Sequence, residues 1–288
     1  MSDKKDNEVI AVNKTGKAML LGAGLLCAAG ALNLYLIAPD RSREEQRRPF
    51  LHRNFGHRGL YDAAAGIPEN SLAAFRAAAE NGYGVELDTR LTRDGKVVIA
   101  HDGDLFRMTG EHVIVEESTL EELRKLRLQG TEETVPLFSE ALDVLCKGGV
   151  PVIVEVKTTP RKRRDALCSA VLAELDKRDG DFCVESFDPW IVRWFRFHAP
   201  DLLRGQLTSQ PNDLSQPPVV AWLHSRLMFN FLCRPQFIAH HVGKKSLNAR
   251  LAHWMGAMRV TWTAHDRAEE KRSEAVIFEH FRPPVQYR

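Results

Sequence analysis

From Phe50 onward, apolar runs of strand length alternate with amphipathic segments of helix length, the pattern of repeated βα units around a parallel sheet. The strand-length runs are Asn54–Gly59, Tyr83–Asp88, Val97–His101, Pro151–Lys157, Phe182–Phe187, Leu202–Leu207, Phe237–His241, Met258–Thr263 and Ala275–Phe281. Nine runs exceed an eight-stranded parallel barrel by one, and the turn Thr92-Arg93-Asp94-Gly95 indicates which is extra. Asp-Gly between two β-rich runs favours a tight hairpin, so Val97–His101 is expected to return antiparallel to the strand before it. A turn centred on Asp94-Gly95 sets Asp88 opposite His101 and returns that histidine to the carboxyl ends of the strands, where such barrels carry their chemistry. The expected fold is α/β: a (β/α)8 TIM-type barrel, distorted by the hairpin strand.

A different pattern precedes Phe50. Residues Ala18 to Ala38 form an uncharged run, AMLLGAGLLCAAGALNLYLIA, of the ~20 residues a helix needs to cross a bilayer. A secretory signal peptide is the rival, but its apolar core is usually about 7–15 residues. Charged flanks, Lys14 and Lys17 before, Arg41 and Arg43 after, argue against a buried core helix. Basic residues on both sides cancel the usual bias, so orientation across the membrane stays open. The chain therefore divides into a polar tail (1–17), a transmembrane helix (18–38), an Arg-rich linker (39–49) and a barrel domain (50–288). Between residues 208 and 235 a long connection holds Trp222, Leu223, Phe229 and Phe231. It suits a membrane-contacting or acyl-binding lid, or an ordinary helix covering its strand.

Composition narrows the function. The 288 residues are 44% hydrophobic and 27% charged, as in a folded domain, and the net charge of +2 comes without a basic run in the body of the chain, so nucleic acid is not an expected partner. The five cysteines have neither metal-type nor disulfide-type spacing and are expected to be free thiols.

The chemistry concentrates between His57 and Asp102. Glu86 and Asp88 lie two apart in a strand and so share a face, half of a metal site. PVIVEVK adds Glu155 and Lys157 with the same spacing. Carboxylate oxygens favour one hard divalent cation, Mg²⁺ or Ca²⁺, over zinc. His57 and His101 each close an apolar strand. Singly each would be a hydrogen-bonded structural residue, but flanking three carboxylates they suit a reaction that deprotonates one oxygen and protonates another. Arg58 can hold a phosphate oxygen, pair with Glu69, or do both. Pro68-Glu69-Asn70-Ser71 opens the helix LAAFRAAAENG, with Asn70 or Ser71 as its cap.

The ordered series HRG, PENSLAAF, GYGVELD, LTRDG, VVIAHD, VEVK, VESF and VTWT resembles the glycerophosphodiester phosphodiesterase family from Phe55 to Pro283. That resemblance implies a barrel of the superfamily shared with phosphatidylinositol-cleaving phospholipases C. It also implies that His57 and His101 act as acid and base, that Glu86, Asp88 and Glu155 hold the metal, and that Arg58 and Lys157 contact phosphate. Trp262 is a candidate wall of the glycerol pocket and equally a core residue. The expected substrate is a small glycerophosphodiester, cleaved to glycerol 3-phosphate and an alcohol. The alternatives are a lysophospholipid, cleaved in a lysophospholipase D reaction at the membrane, and a non-catalytic binding protein on the same barrel. The final strand departs from the family pattern by reading AVIFEHFRP where an acidic Thr-Asp ending is usual.

Overall fold

The computed structural model describes residues 2–41 and 44–288, with side chains from Met19 onward, so the flanking side chains of Lys14, Lys17 and Arg43 lie outside the described residues. Among the described residues nine strands make one sheet: β1 (Arg53–His57), β2 (Gly84–Leu91), β3 (Val97–Ile99), β4 (Val152–Val156), β5 (Phe182–Ser186), β6 (Leu203–Thr208), β7 (Phe237–His241), β8 (Met258–Ala264) and β9 (Ala275–Phe278). Eight pair in parallel and close through β1–β2, while β3 lies antiparallel on β2. β2 makes this possible by outrunning its neighbour: β1 pairs with it only as far as His57↔Glu86, and residues Thr89–Leu91 offer their free edge to β3.

The helices, in chain order, are α1 (Ser2–Ile37), α2 (Glu44–Arg47), α3 (Leu72–Glu80), α4 (Phe106–Thr109), α5 (Leu120–Leu123) and α6 (Phe138–Lys147). They continue with α7 (Arg161–Leu175), α8 (Pro189–His198), α9 (Pro218–Ser225), α10 (Asn230–Cys233) and α11 (Leu247–Trp254). α1 includes the expected span and the polar stretch before it in a single helix. The 208–235 connection forms α9 and α10, and residues 213–216 before α9 line the cleft at the barrel mouth.

Strand alternation splits the apolar residues into two layers. Phe55, Ile153, Cys183, Leu203, Phe237, Val260 and Ile277 fill the barrel, whereas Val85, Leu87, Val154 and Val184 face the helices. Two glycines make the inner layer possible. A Cβ on Gly205 would stand 2.0 Å from the Phe237 ring, and one on Gly84 would stand 2.4 Å from Phe55. Both rings are wholly buried in space that any other residue would claim.

The hairpin register differs from the expected one by a residue. Thr89 pairs with Ile99 and the Ala100 amide donates to the Asp88 carbonyl, so Asp88 faces Ala100 rather than His101. The turn has three residues between Thr92 and Lys96, closed by Thr92 N–H to Lys96 O at 2.9 Å, with Gly95 in the left-handed region at φ 75°. That extra residue, permitted by glycine, shifts the return strand by one.

The expected linker is not free of the barrel. Asp40 accepts a 2.9 Å bond from Arg204, whose side chain is almost wholly buried, and Arg47 donates to the Gly256 carbonyl. Ile37 is buried among Leu227, Ile238, Ala249 and Ala252.

Gly205→Ala should destabilise the protein by about 1–3 kcal/mol, because Phe237 has no room to retreat. Urea denaturation followed by tryptophan fluorescence checks this, and an unchanged midpoint would refute the packing account.

Candidate active site at the barrel mouth

The inward faces of β1, β2, β4 and β5 present polar residues toward their carboxyl ends, above the apolar filling. Parallel pairing places them side by side: His57 beside Glu86, Asp88 beside Glu155, and Glu155 beside Glu185. Glu86, Asp88 and Glu155 each offer an oxygen within 4.8 Å of the other two, and all three are buried. Lys157 bridges two of them, at 2.7 Å from Asp88 and 2.8 Å from Glu155.

Burial and mutual repulsion split the behaviour of these acids. Burial, reinforced by Asp88, Glu155 and Glu185, pushes Glu86 well above the usual carboxylate range. Burial also raises Glu155 and, more strongly, Glu185. Asp88 is the exception: burial opposes its ionisation, but Lys157, His101 and Arg58 together hold it well below its ordinary value. Lys157 is itself held above the ordinary lysine range, since Asp88 and Glu155 outweigh its burial. The two cations facing the cluster therefore do not suffice to ionise Glu86, Glu155 and Glu185 as readily as an isolated carboxyl. Glu185 Oε2 and Asn70 Oδ1 are buried with no hydrogen-bond partner. Orphaned oxygens beside a crowded carboxylate set fit a hard divalent cation held by Glu86, Asp88 and Glu155.

Each histidine is oriented by its own carboxylate. His57 Nδ1 lies 2.7 Å from Glu279 Oε2, which also accepts from Tyr61, while its Nε2 faces Glu86 at 4.0 Å. His101 Nδ1 lies 2.7 Å from Asp102 Oδ1, and Asp102 is steadied by Arg107 at 2.7 Å. Although burial opposes it, the bond from His57 keeps the Glu279 carboxyl down at about 2; the partners of Asp102 likewise outweigh its burial and lower its pKa. Ionised carboxylates can only accept, so both rings carry the Nδ1 proton and leave Nε2 free. Burial lowers the pKa of both imidazoles, His101 to about 4.

Arg58 makes the expected pair with Glu69, through Nη1 at 2.7 Å, and its Nε also stands 3.6 Å from Asp88. Burial favours losing its proton, but Asp88, Glu69 and Glu86 keep it firmly charged. Glu69 also takes two bonds from Arg107, so it links the supports of Arg58 and His101. Ser71, not Asn70, caps α3 by accepting from the Ala74 amide. Asn70 turns inward at φ 53° and donates to Asp88 at 2.7 Å. Trp262 is half-buried on the barrel interior, donates to the Ala239 carbonyl at 3.0 Å and meets Phe187 edge-on at 5.6 Å. A cleft of about 920 Å³ opens above the carboxylates, lined by His101, Glu155, Lys157, Phe106, Arg107 and Phe187 among others.

Four residues of this arrangement escaped the sequence reading. Glu185 sits in VESF with the same register as Glu155, and that register was the available signal. Glu279 lies in the very EHF segment that departs from the usual ending. Tyr61 and Arg107 carried no pattern at all.

Fold and site together define an eight-stranded barrel with a buried acidic centre and two carboxylate-oriented histidines at its mouth. The model of the glycerophosphoryl diester phosphodiesterase family matches residues 57–279, and the chain belongs to that family. Human glycerophosphodiester phosphodiesterase 1 is 34% identical over 169 residues, which cover 55% of this chain and 49% of that protein. A rat lysophospholipase D is 29% identical over 151 residues, 46% of each chain. The chain spans about half the length of the curated relatives it matches. A glycerophosphodiester phosphodiesterase structure from Thermotoga maritima superposes with a TM-score of 0.58 at 26% identity, covering 78% of this chain and 93% of the other. An Oleispira antarctica phosphodiesterase in complex with the product sn-glycerol-3-phosphate shares the fold, with a TM-score of 0.65 at 22% identity over 79% of this chain and 93% of its own.

In chelator-treated protein at pH 7, ¹⁵N NMR should show His57 and His101 neutral with the proton on Nδ1. His101 should acquire its second proton only as the pH falls to about 4. A His101 that titrates at the unperturbed ~6.5 would contradict the burial seen here.

Proposed function

We propose that this protein is a metal-dependent phosphodiesterase that hydrolyses glycerophosphodiesters to sn-glycerol 3-phosphate and an alcohol, held at a membrane by α1. The observation that carries this reading is the pairing of two free imidazole Nε2 atoms with one buried carboxylate cluster. Family membership and the acidic centre support it further. α1 contains one stretch, Met19–Ile37, long and apolar enough to cross a membrane. The reading covers His57 and His101 as acid and base, Glu86, Asp88 and Glu155 as metal ligands, and Arg58 and Lys157 as phosphate contacts. Glu69 and Asn70 position Arg58 and Asp88.

When bound, a Mg²⁺ or Ca²⁺ ion would neutralise the carboxylates and offset charge on a phosphoryl oxygen. The protein's own residues do the rest. Arg58, braced by Glu69, directs its remaining donors toward a phosphate oxygen. One histidine takes the proton of the glycerol 2-hydroxyl through Nε2, and that oxygen attacks phosphorus. The bond from phosphorus to the departing alcohol breaks, and the other histidine, protonated in the complex, supplies the proton the alkoxide needs. A five-membered cyclic phosphate results. Water then opens it with the two histidines in exchanged roles, giving glycerol 3-phosphate. Glu279 and Asp102 hold the rings in the productive tautomer and stabilise each imidazolium as it forms.

Asp88→Asn should abolish most activity on glycerophosphocholine and be partly rescued by excess metal, and EDTA should silence the wild type. Turnover in chelator equal to that in Mg²⁺ would rule out the metal reading. His57→Ala and His101→Ala should each lower kcat by about 10²–10⁴-fold. A 2-deoxy glycerophosphodiester should bind and scarcely react; its brisk hydrolysis would exclude the cyclic route.

A further inference from the structure

The direction in which α1 leaves the barrel follows from its partners. α11 follows β7, so it begins at the mouth end with Leu247 and ends at the amino-terminal end of the barrel, where β8 begins. α1 lies alongside it in the same direction. Asn33 and Asn248 exchange two amide bonds of 3.1 Å at the mouth end. Ile37 packs on Ala249 and Ala252 further along, and beyond it Asp40 N–H reaches the Pro235 carbonyl, just before β7. The part of α1 before Asn33, Ser2 to Leu32, therefore projects past the mouth. Met19 to Leu32 extends about 20 Å at ~1.5 Å per residue, with Met19, Leu25 and Leu26 more than two-thirds exposed.

The rim on that side has the chemistry of a membrane interface. α9 is fastened at mouth level: His224 Nε2 is 2.9 Å from the Leu207 carbonyl at the end of β6, and Asn248 donates to the Arg226 carbonyl. From this position α9 exposes Val219 and Trp222, with Arg226 stacked on the Trp222 ring at 4.1 Å. Leu247 is exposed beside it, and Phe106 is exposed where it lines the cleft. Arg161 and Lys162 are exposed at the start of α7, a helix end that the backbone dipole makes unfavourable for cations. Exposed aromatic and aliphatic side chains interspersed with Arg and Lys suit the headgroup layer of a bilayer with anionic lipid.

We propose that the barrel mouth faces the bilayer that α1 enters, with the α9 face, Leu247 and Phe106 seated in the headgroup layer. The inference rests on α1 being a membrane span. It makes the membrane plane the direction of substrate entry, so that a monoacyl phosphodiester with a free 2-hydroxyl can present its headgroup to the cleft while its chain stays in lipid.

The test uses the full chain reconstituted in phosphatidylcholine–phosphatidylglycerol vesicles, in a Cys27→Ser, Cys146→Ser background. A fluorophore is attached at Val219→Cys or, at the far end of the barrel on α8, at Phe197→Cys. Flotation with the vesicles checks the anchor by itself. With flotation established, headgroup-level spin-labelled lipid should quench the probe at 219 and spare the one at 197. Quenching at 197 alone, or at neither, would overturn the orientation and leave the anchor intact; failure to float would overturn both. Separately, Val219→Glu combined with Trp222→Glu should slow hydrolysis of vesicle-borne lysophosphatidylcholine by roughly tenfold, because seating at the interface scales with the apolar area buried there. Soluble glycerophosphocholine should turn over as in the wild type. Equal rates on both substrates in the double variant would overturn the contact, whereas a wild type inactive on both would overturn the phosphodiesterase reading without touching the quenching result.

Discussion

Three carboxylates buried within 4.8 Å of one another repel, and the structure around the barrel mouth is organised to contain that repulsion. Lys157 and Arg58 neutralise Asp88 first, which is why it alone of these three stays readily ionised. Asn70 adds a hydrogen bond to the same carboxylate, at the cost of a left-handed backbone that asparagine tolerates better than most residues. Glu86, Glu155 and Glu185, whose ionisation burial disfavours, face the space where a cation fits. Removing Lys157 would leave the buried Glu155 without its cation, a strongly destabilising kind of loss.

Barrel closure fixes the first of the two histidines at that cluster. β1 is the first strand and β9 the last, yet they are neighbours, so Glu279 meets His57 across 222 residues of chain. His101 comes by another route, on the chain leaving a hairpin strand that exists because β2 continues past β1. Its carbonyl takes two bonds from Arg90, and Asp102 and Arg107 then fix the ring. The two histidines thus share a chemical design, a carboxylate on Nδ1, while standing on unrelated supports. Glu69 couples them by pairing with both Arg58 and Arg107.

The same barrel geometry governs the outside. Helices that follow strands run back from the mouth, and a helix packed parallel to α11 has to continue beyond it. Polar contacts at Asn33, Asp40 and Arg47 fix the exit of α1 as firmly as the apolar packing of Ile37. Barrel mouth and apolar helix are therefore geometrically linked through one helix pair.

The sequence by itself determined whatever depends on local period. Apolar runs of strand length marked all nine strands, and the two-residue spacings Glu86/Asp88 and Glu155/Lys157 put those side chains on one face of their strands. The uncharged run before Pro39 announced a long apolar helix for the same reason. Relations between distant segments were decided only by the tertiary structure. The pairing of His57 with Glu279 needs a closed barrel, and the uncompensated state of Glu185 needs β4 and β5 side by side. The hairpin register depended on a glycine taking up a third turn residue, a difference of backbone angle that composition does not reveal. Whether Asn70 caps a helix or grips Asp88, and whether residues 39–49 form a tether or a packed segment, depended on neighbours far along the chain. A side chain's face is a property of its own strand, but its partner is a property of the closed sheet.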